Sequence, residues 1–137
     1  MKPEFEPALE SDRLLTRGNL YASQGDMQRA MALYEQALAI ARKLGGWHGR
    51  KSEAAALAAL GLSRRLLGDA RGAIELLEQA LVIERELADA KVGDPSTIPQ
   101  TMNKLGDACL VVGDVRMTII CHEQALAFSQ EIGDRRE

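Results

Sequence analysis

Aromatic side chains are scarce in this 137-residue chain, which has one Trp, two Tyr and two Phe. Apolar residues still make up 46%, so a core can form, but it must be built from Ala, Leu and Ile, which suits close helix packing. Cysteine is equally sparse. Cys109 and Cys121 are too few for a disulfide scaffold, and a reducing, cytoplasmic setting is expected. No apolar run approaches the roughly 18 residues needed to span a bilayer, so no membrane segment is expected. Met1 to Glu10 carries acidic residues and two prolines and lacks the apolar stretch of a secretory signal. Basic residues are not in excess: the net charge is −3 and the pI near 5.5, which argues against a nucleic-acid surface. There is no phosphate-binding loop, no HExxH and no paired-glycine nucleotide fingerprint. An enzyme is therefore the least expected class, and no cofactor is implied.

What the chain does have is self-similarity. Glu35-Gln36-Ala37-Leu38 returns unchanged as Glu78-Gln79-Ala80-Leu81 and as Glu123-Gln124-Ala125-Leu126, at spacings of 43 and 45 residues. Ten residues before each copy stands a Gly-Asp pair, at Gly25-Asp26, Gly68-Asp69 and Gly113-Asp114. Seven residues before each of those glycines is another, at Gly18, Gly61 and Gly106. Three landmarks in register over three periods mark a repeat array.

The spacing of apolar residues is helical throughout, and no stretch alternates with period two. The expected architecture is all-α, with six antiparallel helices. Residues 1–5 read as a short frayed lead. The first helix has Pro7 in its opening turn and ends before Gly25. The second spans about Met27 to Leu44. Gly45, Gly46 and Gly49 read as a loop. The third spans about Ser52 to Leu67 and the fourth Asp69 to about Ala90. Gly93 to Ser96 reads as a turn, with Thr97 and Gln100 as a capping box for the fifth helix, which runs to about Val112. The sixth spans Asp114 to about Ile132. In each Gly-Asp pair the glycine should stop one helix and the aspartate should cap the next, giving a tight antiparallel turn.

These landmarks resemble the tetratricopeptide repeat (TPR) over nearly the whole chain. The resemblance rests on small residues where two helices of a repeat cross (Gly18 with Ala30, Gly61 with Ala73), on Ala37, Ala80 and Ala125, on Leu60 and Leu105, and on Tyr21 and Tyr34 at the two aromatic positions. The family's usual period is about 34 residues, so this chain is similar to its long-helix subclass, which includes kinesin light chains, polarity adaptors and bacterial regulators. The third repeat departs from the pattern: Thr118 stands at the expected Ala, and His122 stands where Tyr34 and Leu77 stand. The resemblance implies one domain over 1–137, an α-solenoid of three helix-turn-helix repeats at about 7–45, 51–91 and 97–133, coiled as a right-handed superhelix.

The resemblance also implies that the first helix of each pair lines a concave groove. Its walls would include Leu15 and Asn19, then Ala58, Ala59, Leu62 and Arg65, then Asn103, Lys104 and Asp107, with small side chains in the centre leaving room for a peptide or helix. Within the family a groove of this kind can clamp a C-terminal carboxylate. Asn19 and Lys104 match two clamp positions, but Leu15, Ala59 and Gln100 occupy the other three, so binding of chaperone tails is not expected. The implied function is a non-catalytic module that holds a protein or peptide partner. The alternatives are a structural oligomerisation unit and the peptide-sensing part of a bacterial regulator.

The last helix is unusually apolar on several faces. Gly133 to Glu137 is similar to a loop leading into a further repeat. Met117, Ile119, Ile120 and Phe128 are therefore expected to self-associate, with a two-fold dimer the simplest closed arrangement, or to be covered by further repeats. Cys121 and His122 point about 100° apart on a helix and do not converge on a metal, and no metal site is expected. Trp47, beside His48, is expected to fold back on adjacent helix ends. Arg64-Arg65 and Arg135-Arg136 read as solvated.

Overall fold

The structure, a computed structural model, describes the backbone of residues 5–136 and the side chains of residues 6–133. Six helices account for all regular structure among them: α1 (Phe5–Ser23), α2 (Met27–Leu44), α3 (Gly46–Leu66), α4 (Ala70–Asp89), α5 (Thr97–Val111) and α6 (Val115–Arg136). Of the expected lead over 1–5, residues 1–4 lie outside the described residues, as does Glu137, and Phe5 already belongs to α1.

The Gly-Asp pairs act as expected, in the same way three times. Gly25, Gly68 and Gly113 have φ of 83°, 95° and 87°, a left-handed conformation that glycine adopts without a Cβ clash. The N–H groups of Asp26, Asp69 and Asp114 reach back to the carbonyls of Tyr21, Arg64 and Cys109 at 2.9, 2.8 and 2.9 Å, closing a Schellman turn. Each aspartate side chain then accepts from a backbone N–H of the following first turn: Arg29 at 3.2 Å, Gly72 at 2.9 Å and Met117 at 3.1 Å.

Three local expectations are corrected. The glycines after α2 do not form a loop. Gly45 and Gly46, with φ of 64° and 62°, make the whole bend, and α3 starts six residues earlier than Ser52. Gly49 is buried inside α3 because a Cβ there would lie 2.7 Å from the Ala41 carbonyl oxygen of α2. The capping box at Thr97 is replaced by an Asx turn. Asp94 Oδ1 accepts from the Ser96 N–H at 2.9 Å, and the Thr97 hydroxyl donates to the Asp94 carbonyl at 3.0 Å. Finally, α6 runs on through Gly133 to Arg136. A glycine costs a helix only about 1 kcal/mol relative to alanine, which an established helix absorbs.

The small residues meet at the helix crossings in the expected register: the Ala73 carbonyl lies 3.4 Å from the position a Gly61 Cβ would take, and larger side chains one turn on cover the glycines. A Cβ on Gly18 would meet the Tyr34 ring, one on Gly61 would meet Leu77, and one on Gly106 would meet His122. Helical side chains lean toward the N-terminus, so the covering residue lies a turn beyond the closest backbone. The Thr118 departure is accommodated: its hydroxyl is within hydrogen-bond reach of the Gly106 carbonyl at 3.1 Å and the Asp114 carbonyl at 2.9 Å.

Consecutive helices pack as antiparallel hairpins, α1 with α2, α3 with α4 and α5 with α6, and α2 and α4 each also meet the next hairpin. Among the described residues α1 touches α3 and α3 touches α5, whereas α2, α4 and α6 do not approach one another. The first helices are thus drawn together and the second helices splayed, which puts α1, α3 and α5 on the inner side of the stack. The largest core cluster spans α1 to α4 around Leu57, Leu60, Ala37 and Tyr34. Smaller ones join α4, α5 and α6 around Leu77, Leu105, Cys109 and Cys121, and around Ile98, Met102 and Ala125. At the surface an ionic chain links successive helices: Arg42 to Glu53 at 3.3 Å, Glu53 to Arg50 at 3.2 Å, and Arg50 onward to Glu86.

Candidate functional site

The inner side holds a cleft of about 350 Å³ whose walls come from α1, α3 and α5. The centre of α3 is a run of small residues, and where Ala55, Ala58 and Ala59 face the cleft no side chain fills it. Asn19 and Ala22 form the α1 wall, and Thr97, Gln100, Thr101 and Lys104 form the α5 wall. Leu62 and Leu66 supply apolar surface at the Gly68 end. The site is mainly small and apolar, with a few convergent polar groups, which is the usual make-up of a ligand cleft.

Of the groove residues expected from sequence, Asn19, Ala58, Ala59, Leu62 and Lys104 line this cleft together. Leu15 does not: it lines a separate hollow of about 180 Å³ with Asp12, His48 and Ser52. There the Ser52 hydroxyl meets Asp12 Oδ1 at 3.3 Å. Asn103 and Asp107 are occupied with His122, whose Nδ1 lies 2.8 Å from Asn103 Oδ1 and whose Nε2 lies 3.4 Å from Asp107 Oδ1. Arg65 is half-buried and is not among the residues lining the cleft, and its Nε has no hydrogen-bond partner.

Two residues not anticipated from sequence matter more than these four. The Tyr34 ring comes through from α2 to line the cleft, its hydroxyl donating to Asn19 Oδ1 at 2.6 Å, and burial raises its pKa. Glu84, from α4, lies at the base of the cleft and is only 8% exposed. Burial pushes its carboxyl above the usual range, opposed by hydrogen bonding from Thr101 and Thr97 and by the charge of Lys104. Its Oε1 has no hydrogen-bond partner. Glu84 stands 43 residues after Ala41, so the position is alanine in the first repeat; that mismatch is the sequence signal that could have identified it.

On α6, Val115, Met117, Ile119 and Leu126 are 55, 39, 51 and 61% exposed. Ile120 is half-buried, and Phe128 packs partly against the cluster of Ile98, Met102 and Ala125. Trp47 does not fold back: in the first turn of α3 it is 53% exposed. Arg64 is half-buried and paired with Asp69 at 3.1 Å. Both cysteines are buried and free. Among the described residues no group of three His, Cys, Asp or Glu could hold a metal ion, and no helix is long and apolar enough to cross a membrane.

Comparison with known proteins agrees with this geometry. The sequence profile of the tetratricopeptide repeat matches residues 10–84. BtubC (BKLC) from P. vanneervenii superposes with a TM-score of 0.79 at 21% identity over 90% of this chain, which spans 48% of BtubC, about half its length. The TPR domain of Arabidopsis FLU superposes with a TM-score of 0.78 at 19% identity, covering 94% of this chain and 99% of that domain. No curated protein sequence matches the chain. With the profile covering more than half of its residues and six helices stacked as three hairpins, the chain belongs to the tetratricopeptide repeat family.

Proposed function

We propose that this chain is a non-catalytic interaction module that holds a peptide or short helix of a protein partner in the cleft between α1, α3 and α5. The observation that carries this reading is the cleft itself: about 350 Å³ of open volume over the alanine run of α3, bordered by Asn19, Gln100 and Lys104. Small residues make room for a partner's side chains, and the polar rim supplies hydrogen bonds to a backbone. The test is a phage-displayed library of random peptides panned against the wild type and against Leu62→Trp, which fills the cleft. Peptides enriched on the wild type and lost on the variant are expected. Failure to enrich any, or enrichment indifferent to the variant, would overturn the reading.

A second reading, compatible with the first because it uses another surface, is self-association through α6. It is supported by the exposure of Met117 and Ile119 next to Val115, on a helix whose backbone approaches only α5 among the described residues. A dimer is the simplest closed form. Light scattering over a range of concentrations should show the dimer dissociating in Ile119→Glu. A wild-type mass equal to the monomer at every concentration would rule it out.

A further inference from the structure

We propose that the cleft contains a subsite for a basic side chain, Lys or Arg, of the bound peptide, with the Glu84 carboxylate as its counter-charge; this rests on the peptide-groove reading above.

Repeat stacking does not call for an acid at this position. The first repeat places Ala41 there, 1% exposed against the next hairpin, and the third places Ser129. A glutamate in the same register introduces a charge where packing requires only a methyl group. Buried carboxylates are ordinarily paired or fully hydrogen-bonded. Glu84 is 8% exposed and its Oε1 has no hydrogen-bond partner, and Lys104 in the same cleft acts on it by charge without forming an ion pair among the described residues. Thr101 and Thr97 favour the charged form without meeting its full demand, and the Thr97 hydroxyl is already committed to the Asp94 carbonyl.

Geometry says where the missing partner enters. Glu84 lines both the 350 Å³ cleft and an adjoining hollow of about 310 Å³, so the side chain borders two open volumes. Rotation about the terminal torsions of the side chain turns Oε1 toward the cleft. A Lys or Arg stem laid along Ala58, Ala59 and Leu62 would bury its methylenes and deliver its charged end to Glu84. A cation is favoured over a neutral amide because charge-assisted hydrogen bonds to a carboxylate are the stronger kind. Burial raises the carboxyl pKa in the free protein, and a bound cation favours the charged form and so opposes that shift. Affinity for a basic peptide therefore rises with pH through that raised pKa, while Lys and Arg stay charged.

The test pans the same random-peptide library against the wild type, Glu84→Gln and Leu62→Trp. Wild-type pools should converge on Lys or Arg at one position. Glu84→Gln pools should still enrich peptides but lose that preference, and an enriched basic peptide should bind Glu84→Gln about tenfold or more weakly, with no dependence on pH. Should Glu84→Gln melt early, Glu84→Asp keeps the charge and should keep the basic preference. Wild-type pools without a fixed basic position, or equal affinity for Glu84→Gln, would overturn the subsite and leave the groove reading standing. No enrichment at all, or enrichment untouched by Leu62→Trp, would overturn the groove reading and the subsite with it.

Discussion

The Tyr34 ring lies so close to Gly18 that a methyl group on Gly18 would stand 2.5 Å from Cε1 and 2.8 Å from Cδ1. The ring cannot swing away, because Tyr34 is 2% exposed and its hydroxyl is held by Asn19. Gly18→Ala should therefore force a helix shift and destabilise the protein by about 1–3 kcal/mol, the usual cost of overpacking. Gly133 sits in α6 with nothing within 4 Å of its would-be Cβ, and Gly133→Ala should stabilise by about 0.5–1 kcal/mol. Urea denaturation of the two variants should move the midpoint in opposite directions. A common direction would contradict the close-approach account.

The third hairpin should be the most sensitive to loss of its cap. Asp114 Oδ1 accepts from the Met117 N–H at 3.1 Å, and the backbone of α6 approaches only that of α5 among the described residues. Asp114→Ala should cost about 1 kcal/mol. Hydrogen exchange should quicken first at the start of α6, with α1 to α3 unchanged. Uniform acceleration along the chain would show that the hairpins do not open separately.

The contrast between Gly25 and Gly49 explains how much could be read from sequence. Gly25, Gly68 and Gly113 are needed for their own backbone conformation, and the aspartates after them cap the helices they begin; both causes are local and visible in the residue pairs. Gly49 is needed because of Ala41 on another helix, so its neighbours suggested a loop where there is a helix. The cleft follows the same division. Asn19, Ala58, Ala59, Leu62 and Lys104 converge because repeat register alone selects the inner face. Asn103 and Asp107 share that register but are engaged by His122, a substitution on the facing helix whose effect depends on the crossing. Tyr34 and Glu84 come from second helices, and only the packed structure shows that they reach the cleft.

Arg50 joins the two helices of the second hairpin through Glu86 and shares Glu53 with Arg42 of the first, and the hydrogen bond to Glu86 is the leading cause of its raised pKa. The group is about one-third exposed, so the pair works through partly screened charge. Arg50→Met should lower the melting temperature at low ionic strength, and the deficit should shrink in high salt as screening weakens the wild-type pairs. A deficit that is the same at both salt concentrations would assign the role to the packing of the side-chain stem.

Glu84 should leave a signature in the pH dependence of stability even without a ligand. Its carboxyl is raised above the ordinary 4.5 by burial, so the folded state binds the proton more tightly than the unfolded chain. The stability it contributes is full below 4.5 and is lost as pH rises through the folded-state value. Asp69 works in the opposite sense at the acid end. The Gly72 N–H and Arg64 hold its carboxyl below the ordinary 3.8, so its contribution is present above 3.8 and lost as pH falls further. The two windows do not overlap, and melts at pH 4.5 and above isolate Glu84. The wild type should lose stability relative to Glu84→Gln as the pH climbs from 4.5, then run parallel to it once the carboxyl has ionised. A constant difference between the two across that range would mean that the carboxyl of the free protein ionises at an ordinary pKa.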